Sequence, residues 1–260
     1  MREKREVLAQ GRLKDWGPLL VIWAFAMLVL LETRDLGGGL LYFGIFLAML
    51  YVATSRLAYV AAGLGLFLVG AVGVWKVTPH VQERVTIWLH PWTGSKVYCP
   101  LSGQLELRQN CQSFQLVKSL YSIGHGGYAG TGLGKGTVST IDGHPLIPGA
   151  TTDFIYSVLS QELGLVGAAA LVLVYMIFVL RGMRTALLAQ DGFSKLLAAG
   201  ITFGFALQTF IIVGGILRMI PLTGVTLPFV SYGGSSVVAN FVLLAGLLLV
   251  SKRANREALR

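Results

Sequence analysis

Charge is scarce in this chain. Only 13% of its 260 residues are Asp, Glu, Lys or Arg, against 54% hydrophobic residues and a mean hydropathy of +0.69. A soluble domain carries roughly 25% charged residues, so a water-soluble enzyme is excluded and an integral membrane protein indicated. Histidine occurs four times, at His80, His90, His125 and His144, with no i, i+4 pair and no cysteine at metal-ligand spacing, which argues against a zinc site. Cysteine occurs twice. Cys99 and Cys111 share one polar stretch with eleven residues between them, compatible with a disulfide if that stretch lies outside the cell and with two free thiols otherwise. A small-residue cleavage site is also missing after the basic residues 1–14, so the apolar run that follows reads as an anchor rather than a removed signal peptide.

Six apolar runs are present, at residues 16–31, 36–53, 57–77, 154–180, 196–213 and 237–250. A membrane-spanning helix needs about 20 such residues. The expected fold is therefore all-α, a polytopic helical bundle of about six transmembrane helices with a long extracellular loop. The net charge of +9 is not spread over one face, as a nucleic-acid partner would require, but gathers at the ends of the apolar runs. Arg2, Lys4, Arg5, Arg12 and Lys14 precede the first run; Arg181, Arg184 and Lys195 lie between the fourth and fifth; Lys252, Arg253, Arg256 and Arg260 follow the sixth. By the positive-inside rule all three clusters are cytoplasmic, as are both termini. Residues 78–152 and 214–236 are left outside.

The outer segments hold the unusual residues. Residues 80–92 place Val81, Val85, Trp88, Leu89 and Trp92 on one helical stripe, as in an interfacial amphipathic helix, and 114–123 repeat the pattern more weakly. Between them, 94–112 read as a solvent-exposed excursion. Residues 124–136, GHGGYAGTGLGKG, must be flexible or tightly turned. They are not a phosphate loop, because Ala129 and Gly136 stand at the two ends of the G-x-x-x-x-G-K-[ST] pattern and no strand precedes them. Two prolines and a glycine pair in 218–236 forbid a simple turn, and irregular backbone near membrane depth is tolerated only inside protein or along a cavity.

Few acidic residues are placed to do chemistry. Glu3, Glu6, Asp15, Asp191 and Glu257 fall on the basic, solvated side, and Glu32 and Asp35 flank Arg34 in a turn suited to a local ion pair. Asp153 is different, standing at the mouth of the fourth apolar run, where a carboxylate costs free energy unless it faces water or a polar cavity. Either it acts chemically, or Thr152 or Asp153 caps the helix. Glu162, nine residues on, lies about 13 Å deeper on the opposite helix face. It is expected to pair with a neighbouring helix, or else to relay protons or substrate, rather than to share the Asp153 site.

Several stretches together resemble the SEDS family (shape, elongation, division and sporulation), the RodA/FtsW-like proteins of bacterial wall synthesis. They are Thr152-Asp153-Phe154-Ile155 leading to Glu162-Leu163-Gly164, the run from Leu227-Pro228-Phe229-Val230 through Ser231-Tyr232-Gly233-Gly234-Ser235-Ser236, Asp35-Leu36-Gly37, and Arg84 with Trp88 and Pro91. The resemblance implies that residues 1–260 are one membrane domain matching the last six spans of a ten-span fold in the bacterial plasma membrane, with 78–152 as its large outer loop. It implies a peptidoglycan glycosyltransferase acting on lipid II at the outer face, with Asp153 as general base. Lys118, Lys135 or Arg218 would stabilise the pyrophosphate, alone or with a divalent cation (Mg or Mn), although each also fits a plain interfacial cation. Ser231 and Ser235 would contact substrate, and a class B penicillin-binding protein, a transpeptidase, would be the partner. One departure is visible: where many members carry Pro-Glu-x-His, this chain has Pro148-Gly149-Ala150-Thr151, so neither Glu nor His assists Asp153. The competing readings are a lipid II flippase depending on Glu162, and an inactive scaffold that binds a transpeptidase.

Overall fold

A computed structural model describes residues 35–92, 96–99, 104–107, 111, 113–136 and 147–258. Its elements in chain order are α1 (Leu36–Thr54), α2 (Leu57–Val77), α3 (Pro79–Leu89), β1 (Lys96–Cys99), β2 (Gln104–Leu107), α4 (Phe114–Gly126), α5 (Ile155–Leu188), α6 (Gly192–Ile216) and α7 (Gly234–Ala258). Five helices, α1, α2, α5, α6 and α7, are long and apolar enough to cross a membrane. They correspond to the second through sixth expected spans; the first, 16–31, lies outside the described residues. The chain is thus a multi-pass helical membrane protein. Helices α6 and α7 overrun the apolar runs at both ends, because backbone hydrogen bonding continues into flanking residues whatever their hydropathy. Lys252, Arg253 and Arg256 accordingly lie on the last turns of α7.

Local chemistry sets several boundaries. Asp35 caps α1, its carboxylate accepting the Gly38 N–H at 2.8 Å, so it serves the helix end, while its expected ion partner Arg34 lies outside the described residues. Ser55 ends α1 in the left-handed region, donating its N–H to Tyr51 O at 2.7 Å. Pro79 cannot continue α2 and instead starts α3 at a position where its missing N–H costs nothing.

The excursion at 94–112 contains a feature the sequence reading did not anticipate, an antiparallel hairpin pairing Lys96 with Leu107 and Cys99 with Gln104. Cys111 is disulfide-bonded, in a chain whose other cysteine is Cys99 at the end of β1.

The chain divides into two compact units. The first comprises residues up to Gly70, Tyr175–Gln208 and Val237 onward. Its helices meet through small residues: Leu207 packs over Gly44, Met49 over Gly200 and the Thr202 side chain against Gly182. Close backbone approach of this kind replaces the hydrophobic drive that lipid cannot supply. Ala186, Ala189, Ala198, Ala199, Leu247 and Val250 form one buried cluster there, and Phe43, Leu47 and Leu50 another. The second unit, Ala71–Val174 with Thr209–Ser236, carries both segments expected outside.

Within that second unit α5 is broken. Gly164 adopts φ 70, ψ −172, a conformation essentially restricted to glycine. The main chain of the glycine-rich loop closes the gap: Thr131 N donates to Gln161 O at 2.9 Å and Gly132 N to Glu162 O at 3.0 Å, while Leu165 N and Val166 N donate to Gly127 O and Tyr128 O. Carbonyls and N–H groups orphaned by the break thus find partners, as membrane-depth backbone requires. Side chains would prevent this approach, since a Cβ on Gly130 would strike Glu162 O. The loop is neither a nucleotide cradle nor a free tether; it splints a broken helix.

Candidate active site

Asp153 sits in a turn that winds on itself just ahead of α5. Gly149, with φ +76, lets its carbonyl accept both Thr152 N at 3.1 Å and Phe154 N at 3.0 Å. Among the described residues three aspartates precede apolar helices, and geometry separates them. Asp35 caps α1, and Asp191 accepts the Ser194 N–H at 2.8 Å near the start of α6. The Ser194 hydrogen bonds hold the Asp191 carboxyl below the usual carboxylate range. Asp153 accepts no α5 backbone N–H among the described residues, which removes the capping explanation for it. Half-buried, it is pushed above the usual range by desolvation, partly offset by the Thr152 hydroxyl and the Arg84 guanidinium.

The irregular segment after α6 lies beside the carboxylate. Gly224, at φ +77, runs so close that a Cβ there would stand 3.5 Å from Asp153 Oδ2. Arg84 on α3 holds this segment, donating from Nη1 to Leu222 O at 2.9 Å and from Nε to His80 Nε2 at 3.1 Å. One turn on, Trp88 Nε1 donates to Arg218 O at 2.9 Å. The sequence reading gave α3 an apolar stripe, yet Leu89 and Trp92 are exposed, and the polar row His80, Arg84, Trp88 carries the contacts. The i, i+4, i+8 spacing of those three residues was the available signal.

Ser231 fastens the turn from the other side. Its hydroxyl donates to Thr152 O at 2.6 Å and accepts from Leu227 N at 2.7 Å, while Tyr232 N donates to Thr151 O at 2.8 Å. Ser231 is buried, so the substrate contact expected of it gives way to an internal clamp next to Asp153. Ser231→Ala should cost about 1–3 kcal/mol, because it strands the buried Leu227 N–H; a denaturation midpoint equal to the native one would refute the clamp.

The other expected residues disperse. Arg218 donates to Trp88 O at 2.8 Å and stacks 4.8 Å over the Trp92 ring, so its guanidinium closes the end of α3 instead of standing free for an anion. Lys118 Nζ lies over the Phe114 ring at 5.6 Å. Lys135 is exposed within the splinting loop. Ser235 is exposed on the first turn of α7, the one expected substrate contact near the Ser231 clamp that remains open. Glu162 lies on the last turn before the break with its side chain against Gly136; it makes no side-chain hydrogen bond or ion pair among the described residues, so the expected pairing with a neighbouring helix is replaced by contact with the loop.

Known proteins share both sequence and fold with this chain. The family described as "Cell cycle protein" (FTSW_RODA_SPOVE) matches residues 2–257. Peptidoglycan glycosyltransferase RodA of Mycobacterium tuberculosis is 42% identical over 245 residues, covering 94% of this chain and 48% of the relative. Stage V sporulation protein E of Bacillus subtilis is 35% identical over 253 residues, covering 97% and 64%. The chain therefore spans about half the length of the RodA relatives it matches. Among solved structures, a chain from work on polymerization and crosslinking by a peptidoglycan synthase complex superposes with a TM-score of 0.72 at 24% identity, covering 96% of this chain and 66% of that one. A point mutant of Thermus thermophilus RodA gives 0.55 at 20% identity, covering 96% and 63%. With the family model matching residues 2–257, this chain belongs to the FtsW, RodA and SpoVE family, the SEDS proteins.

Proposed function

We propose that this chain supplies the catalytic carboxylate of a peptidoglycan glycosyltransferase that polymerises lipid II. The observation that carries the reading is Asp153 itself, a half-buried carboxylate at the mouth of a spanning helix that caps nothing and is pushed toward greater basicity. The names of the RodA relatives, peptidoglycan glycosyltransferases, support the reaction class. Asp153 takes the proton from the acceptor's GlcNAc 4-hydroxyl as that oxygen attacks the anomeric carbon of the donor's MurNAc. The bond to undecaprenyl pyrophosphate breaks, and the electron pair leaves with the diphosphate. Because that group departs as a stable anion, one carboxylate suffices where glycoside hydrolases use two. Attack opposite the leaving group turns an α-linked donor into a β-linked polymer.

Among the described residues no group of three or more His, Cys, Asp or Glu side chains converges as an all-protein site for a divalent cation. None of the steps above uses one. The basic clusters support an orientation with both termini cytoplasmic and Asp153 outside. A membrane-anchored transpeptidase is the partner we propose, because the solved neighbour comes from a complex that couples polymerization to crosslinking.

The test is polymer formation by the full-length protein as a function of pH. Ionised Asp153 is the active form, and its raised pKa means it protonates at a higher pH than an ordinary carboxyl, so the rate should fall on the acid side with an apparent pKa above 3.8. A rate that stays level down to that value would assign the base to another group.

A further inference from the structure

If the transferase reading holds, the diphosphate needs a cation, and the geometry singles out one the sequence reading had not chosen. Of the cations expected to serve, Arg218 is spent on the end of α3 and Lys118 lies over Phe114. Arg84 differs. Two of its nitrogens are fixed, Nε on His80 and Nη1 on Leu222 O, which holds the plane of the guanidinium. Its third nitrogen, Nη2, has no partner among the described residues, and the side chain is half-buried rather than sealed. The segment it grips continues from Leu222 to Gly224, whose backbone lies beside Asp153 Oδ2. Arg84 and Asp153 form no ion pair, yet the guanidinium charge is felt at the carboxylate. The Leu222–Gly224 segment thus carries the Arg84 anchor at one end and borders the Asp153 carboxylate at the other, which puts an immobilised cation within electrostatic reach of the base.

We infer that Arg84 binds the diphosphate of the lipid-linked donor through its free N–H edge and so sets the donor's anomeric carbon on the Asp153 side. The inference rests on the transferase reading above and names the residue that recognises the leaving group. A guanidinium presents its donors as a planar fork that suits phosphate oxygens, and charge-assisted bonds of this kind are about twice as strong as neutral ones. Prior immobilisation by His80 and Leu222 O reduces the ordering cost of binding.

The experiment compares binding of undecaprenyl diphosphate and undecaprenyl monophosphate to the full-length protein in nanodiscs, for the native protein and for Arg84→Gln and Asp153→Asn. The native protein should prefer the diphosphate by about tenfold or more, Arg84→Gln should reduce that preference to near unity, and Asp153→Asn should keep it while losing turnover. A structural role alone would weaken both lipids together and leave their ratio unchanged. Preservation of the ratio in a folded Arg84→Gln protein overturns the assignment while leaving the transferase reading intact. Should Arg84→Gln fail to fold, Arg84→Lys decides: it keeps the charge and loses the fork, so an undiminished ratio again overturns the assignment. A native protein that shows no preference and forms no polymer from lipid II would sink the transferase reading itself.

Discussion

Asp153→Ala in the full-length protein is expected to lower lipid II polymerisation by about 10²–10⁴-fold, the usual contribution of a positioned general base. Its fold should survive, because the carboxylate caps no helix and no backbone N–H among the described residues depends on it. Asp153→Asn sharpens the test by keeping volume and polarity while abolishing basicity. Glu162→Gln is the natural comparison, since that side chain lies against Gly136 at the helix break and has no hydrogen bond to lose among the described residues. Polymer yield should then vary only a few-fold. If Glu162→Gln stopped polymerisation and Asp153→Asn did not, the base assignment would be wrong and would pass to Glu162.

Gly164→Ala should be strongly destabilising to the second unit. Its φ of 70 lies where side chains are disfavoured, and an added Cβ would strike Gly130 N and Tyr128 O, backbone atoms that cannot rotate away. Strain of about 1–3 kcal/mol and overpacking of about 1–3 kcal/mol sum to roughly 2–6 kcal/mol. Gly134→Ala supplies the control, because Gly134 also has positive φ, at 71, but nothing stands within 4 Å of its Cβ position. It should cost only the strain. Thermal unfolding of the two variants measures the difference, and equal midpoints would mean that the splint bears no weight.

The spans were legible because length and apolarity suffice to make a membrane helix, and α2 coincides with its expected run. The mouth of α5 was legible as a place where an acid needs explaining, but not which explanation applied, since a capping and a non-capping aspartate look alike in a string of letters. Only the hydrogen bonds distinguish Asp191 from Asp153. Ser231 and Arg218 were identified as important and given outward roles, because sequence does not show which way a side chain turns. The splint left no side-chain signal: it joins residues 30 to 38 positions apart through main-chain atoms, and glycine run and helix break each read as an isolated oddity. Arg84 was quoted only as part of a resemblance, and its grip on Leu222 O spans 138 positions.

Exposed loops are where protein engineers ordinarily place tags, fluorophores or protease sites, because such segments tolerate interruption. Residues 127–136 would invite that choice, with Tyr128 and Leu133 exposed. Yet their amides and carbonyls close the gap in α5, so a label inserted there would be a cut in the helix that begins two residues after Asp153.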